Sequence, residues 1–323
     1  MKVIELCAGA GGQALGVEMA GLEHEALIEI DRDACKTLRQ NRPNWNIVEA
    51  DLREVDTSQF SNIDIICGGV PCQPFSIAGL QKGQNDERDL FPEALRFVKE
   101  LKPKAFFFEN VRGFAGKNFD LYRSKLINSF IDLGYYVEWK VIEAADYGVP
   151  QLRPRFIMVG KRNGAVPFPW PKSVAKKTFV SDIISDLINE NNWQNFENWK
   201  LQASTIAPTI VGGSKKHGGP DLGPTRAKKQ WAELGIDGSG IANHPPLSNF
   251  EGLPKLTNRM VARIQGFPDS WVFAGGKTSV YRQIGNAFPP PVAFNIVQSL
   301  LKWINIESSV EPEYEPIQVS LIS

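Results

Sequence analysis

Short apolar runs alternate with helix-like segments over the first half of the chain. Such runs, apolar almost throughout, are typical of strands that are buried on both faces of a parallel sheet. The predicted strands are Val3–Cys7, Glu25–Ile30, Ile63–Cys67, Ala105–Phe108, Val137–Ile142 and Phe156–Val159, and the predicted helices between them are Ala14–Ala20, Arg32–Asn41, Leu90–Leu101 and Leu121–Leu133. This alternation predicts an α/β fold with a doubly wound, mostly parallel sheet, in which ligands bind beyond the carboxyl ends of the strands.

The pattern changes after Gly160, where glycine and proline become frequent and long periodic segments are lost. Helices are predicted there only near Phe179–Asn189 and Thr225–Leu234, which indicates a smaller, loop-rich second domain. Helical periodicity returns at Asn258–Gln265 and Val292–Trp303. We therefore predict a catalytic and cofactor-binding domain (1–164), a second domain (165–254), a C-terminal segment whose last helix returns to the first domain (255–303), and a tail (304–323).

The composition is that of an ordinary globular protein, with 42% hydrophobic and 22% charged residues in 323. No apolar run is long enough to cross a bilayer, and no signal peptide is apparent, so we expect a cytoplasmic protein without a membrane partner. The four cysteines contain no Cys-x-x-Cys pair and the three histidines are scattered. A disulfide framework or a structural metal site is therefore not expected.

The net charge is zero, but basic residues concentrate in residues 151–177 and 211–231. Each stretch alone is more simply interpreted as a solvated surface. Together, and beside the catalytic signature described below, they favour contact with nucleic-acid phosphates.

A glycine-rich turn follows the first predicted strand, with the sequence Glu-Leu-Cys-Ala-Gly-Ala-Gly-Gly at residues 5–12. Glycines allow the backbone to turn tightly and approach a nucleotide, and Glu29, at the end of the next strand, can accept hydrogen bonds from ribose hydroxyls. The pattern indicates a nucleotide-like cofactor. On its own it fits a nicotinamide or flavin enzyme as well as a methyltransferase, or a turn made only for packing.

Cys72 lies in the loop Gly-Gly-Val-Pro-Cys-Gln-Pro, directly after a predicted strand. Proline makes the turn rigid, so the thiol is expected in the cleft. The other cysteines, Cys7, Cys35 and Cys67, are interpreted as small buried hydrophobic residues. Glu109 ends another strand at the same edge, where a buried carboxyl has a raised pKa and can donate a proton, although a structural role alone would be the simpler interpretation.

Residues 1–160 and 255–303 resemble the DNA cytosine-5 methyltransferase family of bacterial and phage restriction-modification systems. The family's hallmarks occur here in its order, as Pro71-Cys72-Gln73, Glu109-Asn110-Val111, Gln151-Leu152-Arg153-Pro154-Arg155, the segment 259–269 and Gln283-Ile284-Gly285-Asn286-Ala287. The sequence departs from the family at Cys7, where phenylalanine is usual, and at Met260, where glutamate is frequent.

The resemblance implies that the thiolate of Cys72 attacks C6 of a flipped-out cytosine, that Glu109 protonates or hydrogen-bonds N3, and that Arg155 helps to hold the base carbonyl. Arg153 and Gln73 would support the catalytic loop. The implied catalytic residues are Cys72, Gln73, Glu109, Asn110, Arg153 and Arg155.

The implied cofactor is S-adenosylmethionine, with Glu29 on the ribose, Ile30 against the adenine face and Asp51, which is alternatively a helix cap, at the adenine edge. The expected cofactor-binding residues are Ala8, Gly9, Ala10, Gly11, Gly12, Glu29, Ile30, Asp51, Leu52, Asn286 and Ala287.

The implied partner is double-stranded DNA, bound by a monomer that can have a cognate restriction endonuclease. Residues 165–254 match the family's target-recognition region in position, and residues 78–84 would close over the DNA. The expected DNA-binding residues are Gln73, Ser76, Lys82, Arg155, Lys215, Lys216, Arg226 and Lys228.

Three other functions stay open at the level of sequence. A tRNA cytosine-5 methyltransferase would share the catalytic residues. A nicotinamide-dependent oxidoreductase would use the glycine turn and Glu29 but leaves Cys72, Glu109 and the paired arginines unexplained. A catalytically inactive DNA-binding regulator is disfavoured by the intact Pro71-Cys72-Gln73.

Overall fold

The computed structural model describes residues 1–71, 89–164, 166–213 and 219–305. Its strands are β1 (Lys2–Leu6), β2 (Glu23–Glu29), β3 (Ile47–Glu49), β4 (Ile65–Gly68), β5 (Ala105–Val111), β6 (Tyr135–Glu143) and β7 (Pro154–Arg162). Its helices are α1 (Gly12–Met19), α2 (Arg32–Asn41), α3 (Phe91–Leu101), α4 (Asp120–Asp132), α5 (Val180–Ile188), α6 (Phe196–Gln202), α7 (Thr225–Glu233), α8 (Asn258–Ile264), α9 (Lys277–Asn286) and α10 (Pro290–Asn305). Within these ranges no helix combines the length and the apolar character that a membrane span needs.

The strands form one mixed sheet in the order β3-β2-β1-β4-β5-β7-β6. All neighbouring strands from β3 to β5 are parallel, and β7 is antiparallel to both β5 and β6. The predicted doubly wound, mostly parallel sheet is therefore confirmed. The chain winds outward from β1 in both directions, so the strand order reverses between β1 and β4, which is where such sheets bind their ligands.

Strand β5 illustrates why the strands read as continuous apolar runs. Phe106 and Phe108 pack on one face of the sheet against α3 and α4, while Phe107 belongs to a separate cluster on the opposite face, with α10. Both faces are covered by helices, so alternation of apolar and polar residues is lost.

Three elements were not predicted: β3, α6 and α9. Each has a weak apolar pattern; α9, with the sequence Lys-Thr-Ser-Val-Tyr-Arg-Gln-Ile-Gly-Asn, buries Tyr281 and Ile284 but also Gln283 and Gly285. Its helical structure depends on tertiary packing and on buried polar contacts, which propensity does not reveal.

The C-terminal helix α10 returns to the sheet and packs on α1 through very close backbone contact. At Gly16 in α1, a Cβ atom would lie 2.5 Å from Cβ of Ala293 and 2.6 Å from the carbonyl oxygen of Pro290. Residues of 166–254, among them Trp199 and Trp231, share one hydrophobic cluster with Leu38 of α2 and Ile264 of α8. Residues 166–254 therefore share one core with α2 and α8.

We expect Gly16→Ala to lower the free energy of unfolding by at least about 1 kcal/mol, because the overlap with α10 outweighs the better helix propensity of alanine. Urea denaturation measures the change. Gly113→Ala is the matched control, since its Cβ would meet no atom within 4 Å, and should stay within about 0.5 kcal/mol of the wild type. Equal stabilities of the two variants would contradict the tight α1–α10 contact.

Candidate active site

A cavity of about 720 Å³ opens at the carboxyl edge of the sheet, between the ends of β1, β2, β4 and β5. Its size is that of a site for a nucleotide-sized ligand. Of the expected cofactor-binding residues, Ala8, Gly9, Ala10, Gly12, Glu29, Ile30, Asp51, Leu52, Asn286 and Ala287 line it. Gly11 does not; a Cβ there would lie 2.7 Å from the side chains of Leu38 and Trp271, so this glycine serves packing.

The carboxylate of Glu29 holds the glycine turn in place. One oxygen accepts a hydrogen bond from the backbone N–H of Gly9 at 2.7 Å, and the other accepts one from Asp31 N–H at 2.7 Å. Gly9 has φ +55°, a left-handed conformation that favours glycine. Burial raises the pKa of Glu29, and its carboxylate keeps lone pairs free for a ligand hydroxyl.

Glu5 places a second carboxylate beneath the cavity, at the N-terminus of α1. It is 1% exposed, lies 3.3 Å from Nε2 of His24 and accepts a hydrogen bond from the backbone of Ala14. A phosphate group would normally use the N–H groups of this helix end. Here a carboxylate of the protein already occupies one of them, which disfavours a pyrophosphate and hence a dinucleotide.

Carboxyl groups outnumber basic side chains around the cavity, although burial raises the pKa of Glu5, Glu29 and Glu109. Its acidic residues are Glu5, Glu29, Asp31, Asp51 and Glu109, and its basic residues are Arg53 and Arg282. Arg53 pairs with Asp51 at 2.8 Å, and Asp51 also accepts from the backbone of Arg53, so the alternative interpretation of Asp51 as a cap holds as well. Ile30 offers an apolar surface that is 66% exposed. A nucleoside with a cationic end fits this lining.

Glu109 lies in the same cavity, at the end of β5. Its Oε1 is 2.7 Å from Nε of Arg155, which reaches it from the neighbouring strand β7, and each side chain is only 12% exposed. Burial raises the pKa of the Glu109 carboxyl, and the charges of Arg155 and Arg153 oppose that shift. Arg155 is not among the residues that line this cavity.

Asn110 fixes the chain just before the predicted nucleophile. Its Nδ2 donates to the carbonyl of Val70 at 2.8 Å, and its Oδ1 accepts from Val111 N–H at 2.8 Å. The carbonyl of Pro71 accepts from the backbone N–H of Leu90 at 3.2 Å. Cys72 itself, with Gln73, Ser76 and Lys82, lies outside the described residues.

Arg153 is 1% exposed and does not reach the cavity. Its guanidinium donates to the carbonyl oxygens of Ile210 (2.7 Å), Gly285 (2.6 Å) and Ala287 (3.0 Å). The arginine therefore positions segments that line the cavity, whereas the sequence analysis places it among the catalytic residues as a support of the catalytic loop; that role stays a prediction.

The expectation that residues 151–177 contact phosphates is corrected in part. Arg153 is internal, Arg155 pairs with Glu109, and Nζ of the buried Lys161 donates to the carbonyl of Trp303 at 2.7 Å. Lys177 pairs with Asp146. These cations satisfy groups of the protein, which a count of charges along the chain does not distinguish from a solvated surface.

The expected DNA-binding residues of the second basic stretch differ in their surroundings. Lys215 and Lys216 lie outside the described residues. Lys228 forms an ion pair with Asp221 at 2.9 Å, whereas Arg226 is exposed at the start of α7.

The other cysteines do not resemble nucleophiles. Cys35 and Cys67 are buried and Cys7 is half-buried. Burial raises the pKa of Cys35 to about 12 and those of Cys7 and Cys67 further, so these thiols stay protonated at neutral pH.

Several residues of the site were not singled out from the sequence. Gln13, Asp31, Gly213, Arg282 and Phe288 also line the cavity. Gly213 and Arg282 come from segments whose proximity to β1 depends on the tertiary fold, so no local signal identifies them.

The fold is an α/β sheet with a cavity of nucleotide size at the reversal of strand order. The family of C-5 cytosine-specific DNA methylases matches residues 1–302, and the chain belongs to this family. It is accordingly a DNA cytosine-5 methyltransferase, as the sequence analysis predicted.

Its relatives support the assignment. The Type II methyltransferase M.NgoMIV of Neisseria gonorrhoeae is 50% identical over 94% of this chain and 98% of its own length. M.NaeI of Lentzea aerocolonigenes is 46% identical over 99% of this chain and 81% of its own length. A DNA modification methyltransferase encoded within an Escherichia coli prophage has a similar structure, with a TM-score of 0.67, 25% identity, and 95% and 100% of the two chains covered.

The buried Glu109 predicts a pH-dependent difference in stability between the wild type and Glu109→Gln. Since the pKa of Glu109 is raised above its ordinary value of 4.5, the folded protein binds this proton more tightly than the unfolded chain does. Wild-type stability relative to the variant should therefore fall as the pH rises from 4.5 through the raised pKa, by up to about 1.4 kcal/mol per pH unit. Urea denaturation from pH 5 to pH 8 measures this, and parallel profiles would rule it out.

Proposed function

We propose that the protein transfers a methyl group from S-adenosylmethionine to C5 of a flipped-out cytosine in a specific double-stranded DNA sequence, with Cys72 as covalent nucleophile. The observation that carries the proposal is the position of Glu109. Its buried carboxyl, held by Arg155, opens into the cavity lined by the glycine turn, Glu29 and Pro71. A proton donor for the base and a nucleoside site therefore lie side by side.

The cavity suits S-adenosylmethionine better than a nicotinamide dinucleotide. Glu29 would accept hydrogen bonds from the ribose, Ile30 would pack on the adenine, and the excess of carboxylates suits a sulfonium cation. Asn286 and Ala287 would close the site from the C-terminal segment. When bound, this cofactor supplies the methyl group as an electrophilic carbon.

The residues of the chain make the base reactive. Cytosine C5 is a poor nucleophile until the Cys72 thiolate adds to C6, which moves electron density through the ring toward C5. Glu109 donates its proton to N3, where negative charge would otherwise develop, and Arg155 steadies the carboxyl and the base carbonyl. After methylation, the C5 proton passes to water, the C5–C6 double bond reforms as the thiolate leaves, and N3 returns its proton to Glu109, which restores the aromatic ring and the free cysteine.

The target base has to leave the duplex, because a stacked cytosine cannot present its face to a thiol, and unstacking costs a few kcal/mol. Lys215, Lys216, Arg226 and, once released from Asp221, Lys228 are the cations we assign to the DNA. Because its relatives are named Type II methyltransferases, we also propose that the protein acts as a monomer within a restriction-modification system, beside a cognate endonuclease.

Cys72→Ser should abolish methylation and leave cofactor affinity unchanged, since only the covalent step is lost. Bisulfite sequencing of host DNA after expression of the wild type identifies the target sequence, because methylated cytosines resist conversion. With the Cys72→Ser variant, no cytosine should resist conversion at that sequence. A duplex with 5-fluorocytosine at that target should trap the wild type, and Cys35→Ala as a control, but not Cys72→Ser. Methylation by Cys72→Ser would refute the mechanism.

Arg155→Ala and Lys215→Ala should affect different kinetic constants. Arg155→Ala should lower kcat by roughly 100-fold, because Glu109 and the base lose a buried charged partner. Lys215→Ala should mainly weaken DNA binding. It should also reduce the slope of log Kd against log salt concentration by about one, because one counterion fewer is released. Steady-state kinetics at several salt concentrations separate the two, with Arg162→Ala, at the other end of β7, as the control. A loss of affinity alone in Arg155→Ala would contradict its assigned role.

A further inference from the structure

Two buried glutamines, Gln265 and Gln151, form a continuous chain of hydrogen bonds behind the cofactor cavity. We refer to this pair as the amide relay. Nε2 of Gln265 donates to the carbonyl of Ala287 at 2.6 Å, and its Oε1 accepts from Nε2 of Gln151 at 2.8 Å. Oε1 of Gln151 accepts in turn from the backbone N–H of Ile210 at 2.9 Å. Both side chains are fully buried, so every one of these bonds is shielded from water.

One end of the amide relay lies at the cavity and the other close to it. Ala287 lines the cavity, and Ile210 lies three residues before Gly213, which also lines it. Residues 211–213 continue directly into the segment that carries Lys215 and Lys216. The amide relay thus connects the cofactor wall with the base of the segment to which DNA contacts are assigned.

A second set of contacts closes this arrangement into a ring. Nδ2 of Asn286 donates to the carbonyl of Gly213 at 3.3 Å. The backbones of Gly212 and Gly285 touch: a Cβ on Gly212 would lie 2.3 Å from Oδ1 of Asn286, and one on Gly285 would lie 2.5 Å from Cα of Gly212. With so little free space, a shift of Ala287 or Asn286 has to move residues 210–213.

We propose that Gln265 is a positioning residue that couples cofactor binding to DNA binding through the amide relay. The inference rests on the proposed function, because it requires a cofactor against Ala287 and DNA beyond Gly213. A carboxamide suits this role because it donates a hydrogen bond through its nitrogen and accepts one through its oxygen. All hydrogen bonds of the amide relay therefore run in one direction. Methionine at position 265 would keep the shape but neither hydrogen bond.

The test measures the coupling itself. The Kd of a duplex that carries the target found by bisulfite sequencing is determined with and without S-adenosylhomocysteine, by fluorescence anisotropy. In the wild type the cofactor product should tighten DNA binding by about 5-fold or more. In Gln265→Met, the ratio of the two Kd values (without and with S-adenosylhomocysteine) should fall by about threefold or more. Gly212→Ala disturbs the contact with Asn286 and Gly285, and should lower this ratio in the same way. Tyr135→Phe, which removes an equally buried hydrogen bond to Pro103, should keep the wild-type factor.

The outcomes separate a positioning role from a structural one. If Gln265→Met and Gly212→Ala bind both ligands more weakly but keep the wild-type factor, or if the wild type shows no coupling, the inference is wrong. If Gln265→Met does not fold, as judged by thermal unfolding, Gly212→Ala decides alone. Failure of the proposed function would appear separately, as a wild type that neither binds S-adenosylhomocysteine nor methylates DNA.

Discussion

The buried guanidinium of Arg153 is the interaction on which the site depends most. A cation removed from water is costly unless hydrogen bonds replace its hydration, and here backbone carbonyls supply them. Desolvation and the nearby Arg155 lower the pKa of Arg153, so the contacts have to compensate a real penalty. They come from two segments far away in sequence, around Ile210 and between Gly285 and Ala287. The segment around Ile210 and the C-terminal wall of the cavity are therefore fixed to β7, the strand that presents Arg155 to Glu109.

Electrostatics then distinguishes one nucleotide-binding enzyme from another. A glycine turn after β1 and an acid at the end of β2 are common to many such sheets. What differs is the carboxyl group at the N-terminus of α1, where Glu5 accepts from the backbone of Ala14 and burial raises its pKa. Together with Glu29 and Asp51, it gives the cavity an acidic lining, which favours a cationic nucleoside over a pyrophosphate.

Much of this arrangement could be predicted from the sequence. The carboxyl ends of parallel strands meet at one edge, which suffices to bring Glu29, Pro71 and Glu109 together. The ion pair of Glu109 with Arg155 could not be predicted, because it depends on β7 being antiparallel to β5, with Arg155 opposite Val111. Helix α9 was missed because its buried face mixes tyrosine and isoleucine with glutamine and glycine. The basic stretch 151–177 was misinterpreted because sequence shows how many charges there are, and not which of them point inward.

The two departures from the family pattern show which requirements are strict. At Met260 the sulfur lies 3.5 Å from the backbone N–H of Thr257, while the Thr257 hydroxyl accepts from Met260 N–H at 3.3 Å. A thioether is a weak acceptor, but it occupies the place of a capping carboxylate and keeps the start of α8 buried. At Cys7 the backbone has φ +54°, and the residue packs against the core and also lines the cavity. Neither side chain carries a charge at neutral pH. Glu109 and Arg155, by contrast, form a buried ion pair and in the proposed mechanism supply a proton and a charge at defined atoms; there the sequence follows the family.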